Sequence, residues 1–141
     1  MGNQSVGQNY VVVEPPIDSF KGSNVNRNNL PKVSFCIPTK NRERSLRSCL
    51  QSIISQDYPD IEIVVVVDKG STDNSLAIAS EFTNKVYSCE GPLGKIRQFS
   101  IEKSNGEILA LLDDDIIFPH KNWLMNAIKY FNYSNEVSTI W

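Results

Sequence analysis

The chain reads as an α/β protein with a doubly wound, mostly parallel sheet and helices on both faces. Three observations carry that reading. Short β-branched runs alternate with helical periodicities at the spacing of βαβ units. One run, residues 61–67, is apolar at nearly every position, as a strand buried on both faces requires. The 141 residues, 40% hydrophobic and 21% charged, supply the core of one domain rather than two.

Each element follows from its pattern. Val33, Phe35, Cys36 and Ile37 form a short apolar run that Pro38 is expected to end as a buried strand. Leu46, Cys49, Leu50, Ile53 and Ile54 then repeat at helical spacing and mark one buried helix face. Asp57, Tyr58, Pro59 and Asp60 break that helix before the second strand at 61–67. A loop through Gly70, Ser71 and Thr72 follows, and Asp73 is placed to cap a helix carrying Leu76, Ala79 and Phe82 inward. Val86 and Tyr87 read as a short strand. Gly91 and Gly94 open a third helix with Ile96 and Phe99 inward, which Asn105-Gly106 is expected to stop. Residues 108–112 form a further strand, running into Asp113, Asp114 and Asp115. Trp123, Leu124, Ala127, Ile128 and Phe131 mark a last helix, and residues 137–141 have the character of another strand.

Residues 1–31 differ from the rest. They are rich in Asn, Gly, Ser and Pro and lack a periodic apolar pattern, so they read as a mostly disordered leader. Residues 11–13 are the one stretch there with strand character. No basic start precedes an apolar run of about 7–15 residues, so this is not a signal peptide. Val6 stands where a myristoylation signal wants Ser or Thr. The folded unit is expected from residue 32 to residue 141.

Composition excludes several classes. A net charge of −2 offers no basic field for a nucleic-acid backbone. No apolar stretch approaches the roughly 20 residues of a membrane span. Three cysteines without a CxxC pair suit free thiols in a reducing compartment, which points to a cytoplasmic protein.

In a doubly wound sheet, ligands bind outside the carboxyl ends of the strands, at the switch point. The residues to inspect are therefore 39–42, 68–73 and 113–115. Three consecutive carboxylates after a strand repel one another, and a hard divalent cation such as Mg²⁺ or Mn²⁺ removes that cost. Read alone, the same triplet is equally a solvated acidic turn. Asp68 ends a strand, where it accepts hydrogen bonds from a ligand or forms a turn with Gly70. Lys40, Arg42, Lys95 and Arg97 lie in neighbouring loops, facing phosphate oxygens or solvent. His120 has no second His or Cys spaced to share a zinc ion with it. No G-x-G-x-x-G follows a strand, and Gly91 to Lys95 lacks the spacing of a Walker loop.

Four segments resemble a known family. Val33-Ser-Phe-Cys-Ile-Pro-Thr-Lys-Asn-Arg42 resembles the opening strand of family 2 glycosyltransferases, V-S-I-I-I-P-T-x-N-R. Tyr58-Pro-Asp-Ile-Glu-Ile-Val-Val-Val-Val-Asp68-Lys-Gly-Ser-Thr-Asp73 resembles their Y-P-x-x-E-I-I-V-V-D-D/N-G-S-T-D. Gly94-Lys-Ile-Arg97-Gln-Phe-Ser-Ile resembles G-x-A-R-N-x-G-I, with Ile96, Gln98 and Ser100 departing from it. Gly106-Glu-Ile-Leu-Ala-Leu-Leu-Asp113-Asp-Asp115, then Pro119 and Trp123-Leu124, resembles G-E-Y-I-x-F-L-D-x-D and P-x-W-L. Lys69 stands where the family usually has Asp or Asn.

The resemblance implies a GT-A-like fold, of which this chain is the N-terminal, nucleotide-sugar-binding part and truncated. It implies a glycosyltransferase of the kind used in polysaccharide biosynthesis. Such an enzyme moves a sugar from a nucleotide-diphospho-sugar donor to a hydroxyl acceptor, whether saccharide, lipid-linked or protein. Transfer is expected to be inverting and dependent on Mg²⁺ or Mn²⁺, in the cytoplasm or at the inner face of the membrane. The donor-binding residues it implies are Thr39, Asn41, Arg42, Asp68, Gly70, Ser71, Arg97, Asp113 and Asp114, with Asp115 on the metal. The general base is expected beyond residue 141, since Glu136 has no family context. The competing reading is a non-catalytic nucleotide-sugar-binding remnant. A phosphatase or a receiver-type phosphoacceptor would need its acids on the first strand, where residues 33–38 have none.

Overall fold

The computed structural model describes residues 27–133. The leader over 1–26, the strand character of 11–13, the inward side chain of Phe131, the strand at 137–141 and Glu136 lie outside the described residues or side chains. The elements are β1 (Val33–Thr39), α1 (Glu43–Ile54), β2 (Ile61–Asp68), α2 (Ser75–Phe82), β3 (Val86–Cys89), α3 (Leu93–Glu102), β4 (Ile108–Leu111) and α4 (Trp123–Tyr133). A 3₁₀ turn at Arg27–Asn29 precedes them. Just before β1, Leu30 packs on the core and the Pro31 carbonyl accepts the Tyr58 hydroxyl.

The strand order is β3-β2-β1-β4, and every pairing is parallel. The chain winds outward from β1 through β2 to β3, then returns to add β4 on the other side of β1. Right-handed crossovers in opposite directions place their helices on opposite faces. Accordingly α1, α2 and α4 pack with Val33, Phe35, Ile37, Ile63, Val65 and Val67. The other face, through Val64 and Val66, takes Ile96, Tyr87 and Phe99 around α3. Alternate residues of one strand thus feed two layers.

Four local expectations are corrected. β1 runs through Pro38 to Thr39. Lys32 and Cys36 turn their carbonyls to β4, so Pro38, in the same parity, faces that side, where β4 has already ended at Leu111. Its missing N–H therefore leaves no ladder bond unmade. Ile54 is 57% exposed, because the buried stripe of α1 is Leu46, Cys49, Leu50 and Ile53. Leu76 also faces solvent, and α2 buries Ser75, Ile78 and Ala79 instead. That rotation brings the Ser75 hydroxyl to the Arg42 N–H at 3.3 Å. Finally, α3 ends at Glu102, ahead of Asn105-Gly106.

The start of α4 is held by a glutamine buried beneath it. Gln56 accepts from the Leu124 N–H through Oε1 and donates to the His120 carbonyl through Nε2, both at 2.9 Å. Phe118, from the preceding loop, packs edge-on to Phe35 and against Trp123.

Candidate functional site

Parallel pairing in register brings the ends of β1 and β2 to one edge, with Thr39 opposite Val67 and Asp68 next along. β4 opens into residues 113–115 beside the same end of β1. The crevice between β1 and β4 is where the winding reverses.

The loop after β1 is braced against the loop after β2. Asn41 adopts φ 50°, in the left-handed region that its short polar side chain tolerates. Its N–H donates to Ser71 Oγ at 3.3 Å, and its Oδ1 accepts the Thr72 N–H at 2.7 Å. Below this, two carboxylates reach across between helix starts. Asp73 accepts the Glu43 and Ser75 N–H groups, each at 3.0 Å, and Glu43 accepts the Asn74 N–H at 3.0 Å. Each acid thus meets open N–H groups and the positive end of a helix dipole. The Ser75 hydroxyl holds the Asp73 carboxyl below the usual carboxylate range; burial opposes it, and the Ser75 and Glu43 N–H donors add to the lowering. Glu43 was not singled out from sequence; an acid in a first helical turn was its only signal.

Asp68 is mostly buried, its side chain 13% exposed. Oδ1 accepts the Gly70 N–H at 2.7 Å and lies 3.5 Å from Lys40 Nζ. A side chain at position 70 would meet that oxygen, since a Cβ there would sit 2.9 Å from it. Oδ2 takes no hydrogen bond among the described residues and remains available to a donor group.

The acidic triplet divides its side chains. Asp113 is exposed and accepts from Arg97 at 2.6 Å, an ion pair across from α3. Asp114 is buried and accepts the Thr39 hydroxyl at 2.8 Å. Asp115 is exposed. Burial raises the Asp114 carboxyl, Thr39 and Arg42 oppose that, and the charges of Asp115 and Asp113 add to it. Behind the triplet, the Cys49 thiol is pushed up to about 12 by burial and then by Asp114 and Asp115, so it is no nucleophile near neutrality.

The expected site residues therefore gather in three small groups at one edge: Thr39 with Asp114, Arg97 with Asp113, and Asn41, Ser71, Gly70 and Asp68 around the β2 turn. Arg42 joins them through its backbone bond to Ser75 and its charge near Asp114. The Lys95 side chain runs beside Gly91. Among the described residues no three His, Cys, Asp or Glu side chains converge as a ready metal cage. Asp113 and Asp114 are engaged, and Asp115 takes no hydrogen bond or ion pair among the described residues. That donor set fits a cation completed by phosphate oxygens, as Mg²⁺ commonly is.

A doubly wound α/β domain with acidic and basic side chains at its switch point has the architecture in which ligands bind at that edge. The chain belongs to glycosyl transferase family 2, whose family model matches residues 34–140. It is 37% identical over 107 residues to the glycosyltransferase AglE of Haloferax volcanii, covering 70% of this chain and 35% of that protein. It is 35% identical over 92 residues to the poly(ribitol-phosphate) β-N-acetylglucosaminyltransferase TarS of Staphylococcus aureus, covering 60% of this chain and 16% of TarS. The crystal structure of TarS residues 1–349 superposes with a TM-score of 0.66 at 32% identity, covering 74% of this chain and 33% of that one. A mannosyltransferase of Pyrobaculum calidifontis, solved with GDP-Man and Mn²⁺, shares the fold at a TM-score of 0.65 and 22% identity, covering 81% of this chain and 37% of that one. The fold is thus GT-A-like, and the family read from the four motifs is the one found. The chain spans about a third or less of the length of these relatives. Among the described residues, no helix is long and apolar enough to cross a membrane.

Proposed function

We propose that this chain forms the donor-binding part of a glycosyltransferase that transfers a sugar from a nucleotide-diphospho-sugar to a hydroxyl acceptor with inversion. The observation that carries the reading is the switch-point edge of a family 2 chain, which presents the exposed Asp115, unpaired among the described residues, beside the half-committed Asp68. Two structures of TarS, 32% and 31% identical to this chain, hold UDP-GlcNAc and UDP, which supports a nucleotide at the same edge here.

In this reading Asp68 Oδ2 accepts a donor group of the base. Asn41, Gly70 and Ser71 shape the turn beneath the nucleoside, Arg42 and Arg97 face the phosphates, and Asp113 faces the ribose. Asp115 would hold Mg²⁺ or Mn²⁺, and a cation bound there would supply positive charge to the departing diphosphate. No described acid is assigned to acceptor deprotonation: Asp113 and Asp114 are hydrogen-bonded and Asp115 is reserved for the cation. The three cysteines are free, which supports a reducing compartment, the cytoplasm or the inner face of its membrane.

Calorimetry with UDP and with GDP, in Mn²⁺ and then in EDTA, tests this. Binding of at least one nucleotide is expected, tighter with Mn²⁺ by at least about tenfold, roughly 1.4 kcal/mol. Equal affinity in EDTA would remove the cation from Asp115, and no binding of either nucleotide would remove the donor reading.

A second measurement isolates Asp68. Replacing it with alanine deletes the acceptor of a buried contact and should weaken nucleotide binding by about 1–3 kcal/mol. Asp68→Asn should change the preference between UDP and GDP, because an amide offers one acceptor and one donor group where the carboxylate offers two acceptors. Unchanged affinity for both nucleotides in the alanine variant would leave Asp68 a turn residue.

A further inference from the structure

The last backbone bond between β1 and β4 runs from the Leu112 N–H to the Cys36 carbonyl at 3.1 Å. Beyond it, among the described residues, a side-chain bond from the Thr39 hydroxyl to Asp114 Oδ2 at 2.8 Å spans the switch-point crevice. Both residues are buried, Thr39 at 5% and Asp114 at 9% exposure. Residues 113–116 form a turn in which the Ile116 N–H approaches the Asp113 carbonyl at 3.4 Å. Within that turn Asp114 points inward, while Asp113 and Asp115 are exposed. An inward anchor in a turn sets the direction of the residues on either side of it.

Resting on the donor-site reading above, we propose that Asp114 is a positioning residue and not a donor contact. Its bond to Thr39 pins the turn to the end of β1 and so directs Asp115 to the cation and Asp113 to the nucleotide. The hydroxyl donates and the carboxylate oxygen accepts, so position 114 needs an acceptor oxygen rather than a charge. Groups that orient a metal ligand in this way commonly matter about 10- to 100-fold in metal affinity. The sequence placed Asp114 among the donor contacts; its burial and its committed oxygen argue for the supporting role.

The test compares the unsubstituted chain with Asp114→Asn, Asp114→Ala, Thr39→Ser, Thr39→Val and the Thr39→Val/Asp114→Ala double variant. The readout is the Mn²⁺ concentration that half-saturates the gain in UDP or GDP affinity, with thermal unfolding measured alongside. Asp114→Asn and Thr39→Ser keep the bond and should stay within about twofold, whereas Asp114→Ala and Thr39→Val should raise the midpoint about 10- to 100-fold. The double variant should be no worse than either single loss, and each loss should weaken binding in EDTA by less than in Mn²⁺, because only the placement of Asp113 is then disturbed. If Asp114→Ala does not fold, Thr39→Val, which removes one hydroxyl at nearly constant shape, still decides. An Asp114→Asn midpoint as poor as that of the alanine variant would make Asp114 a charged ligand. An unmoved Thr39→Val midpoint, or equal weakening in Mn²⁺ and EDTA, would equally overturn the proposal. Failure of the unsubstituted chain to bind either nucleotide removes the donor reading and this one together, and leaves no midpoint to compare.

Discussion

Replacing Glu62 with alanine should destabilise the fold by about 3–5 kcal/mol, the usual cost of removing one partner from a buried ion pair. Glu62 sits in the middle of the sheet with its side chain 7% exposed. It pairs with the Lys85 ammonium and accepts the Ser34 hydroxyl. It also accepts the Asn105 N–H at 2.8 Å, so one carboxylate ties β1, β2 and the residue before β3 to the connection between α3 and β4. Burial pushes its pKa up, but the Asn105 N–H, Lys85 and Ser34 together outweigh burial and hold it at about 2, against an ordinary 4.5. The sign of the pH dependence follows. The unfolded carboxyl takes up its proton near 4.5 and the folded one only near 2, so the unfolded state binds more protons in that window. The contribution is fully present above 4.5 and is lost as pH falls toward 2; it amounts to roughly 3 kcal/mol at about 1.4 kcal/mol per unit. Glu62→Gln, which keeps the shape, should lose this contribution at pH 7 and converge with the unsubstituted chain near pH 2. Urea denaturation across that range checks it. A loss below about 1 kcal/mol at pH 7 would reduce the pair to the worth of an exposed one.

How far such features can be read from sequence depends on the range of the interaction. The strands and the faces of α1 and α4 follow local periodicity, and Leu46, Cys49, Leu50 and Ile53 lie inward as their spacing requires. The strand-end acids were legible because a parallel sheet sends its loops to one edge whatever fills them. Glu62 was not, since a lone acid in an apolar run says nothing of Lys85 or Asn105, 23 and 43 residues away. The division of labour among residues 113–115 was hidden for the same reason. Its partners, Arg97 and Thr39, lie 16 and 75 residues distant on different elements. Leu76 misled because a buried hydroxyl at Ser75, satisfied by a backbone N–H from another loop, outranked the apolar spacing of its own helix.

Gly106→Ala should lower stability by about 3 kcal/mol, from overpacking and the loss of neighbouring hydrogen bonds. Its sequence context suggests a helix stop, yet α3 has already ended at Glu102. Its glycine has another cause. A Cβ there would fall 2.6 Å from the Ser34 backbone nitrogen and 2.9 Å from the Ile108 carbonyl oxygen, besides meeting Ser34 Oγ. A flexible side chain can swing aside, but two backbone atoms cannot. Relief requires the entry to β4 to move off β1. That movement strains the bond from the Gly106 N–H to Ser34 Oγ at 2.7 Å and the one from the Ile108 N–H to the Lys32 carbonyl at 3.1 Å. Ser34 Oγ in turn donates to Glu62, so the disturbance reaches the buried carboxylate. For a domain of this size the loss should appear as a fall in melting temperature of roughly 10 °C. Adding Ser34→Ala to Gly106→Ala separates the causes. If backbone contact dominates, the double variant should recover little of the lost stability. Recovery of most of it would place the clash at the Ser34 hydroxyl, and an unchanged melting temperature in Gly106→Ala itself would show that β4 can shift freely against β1.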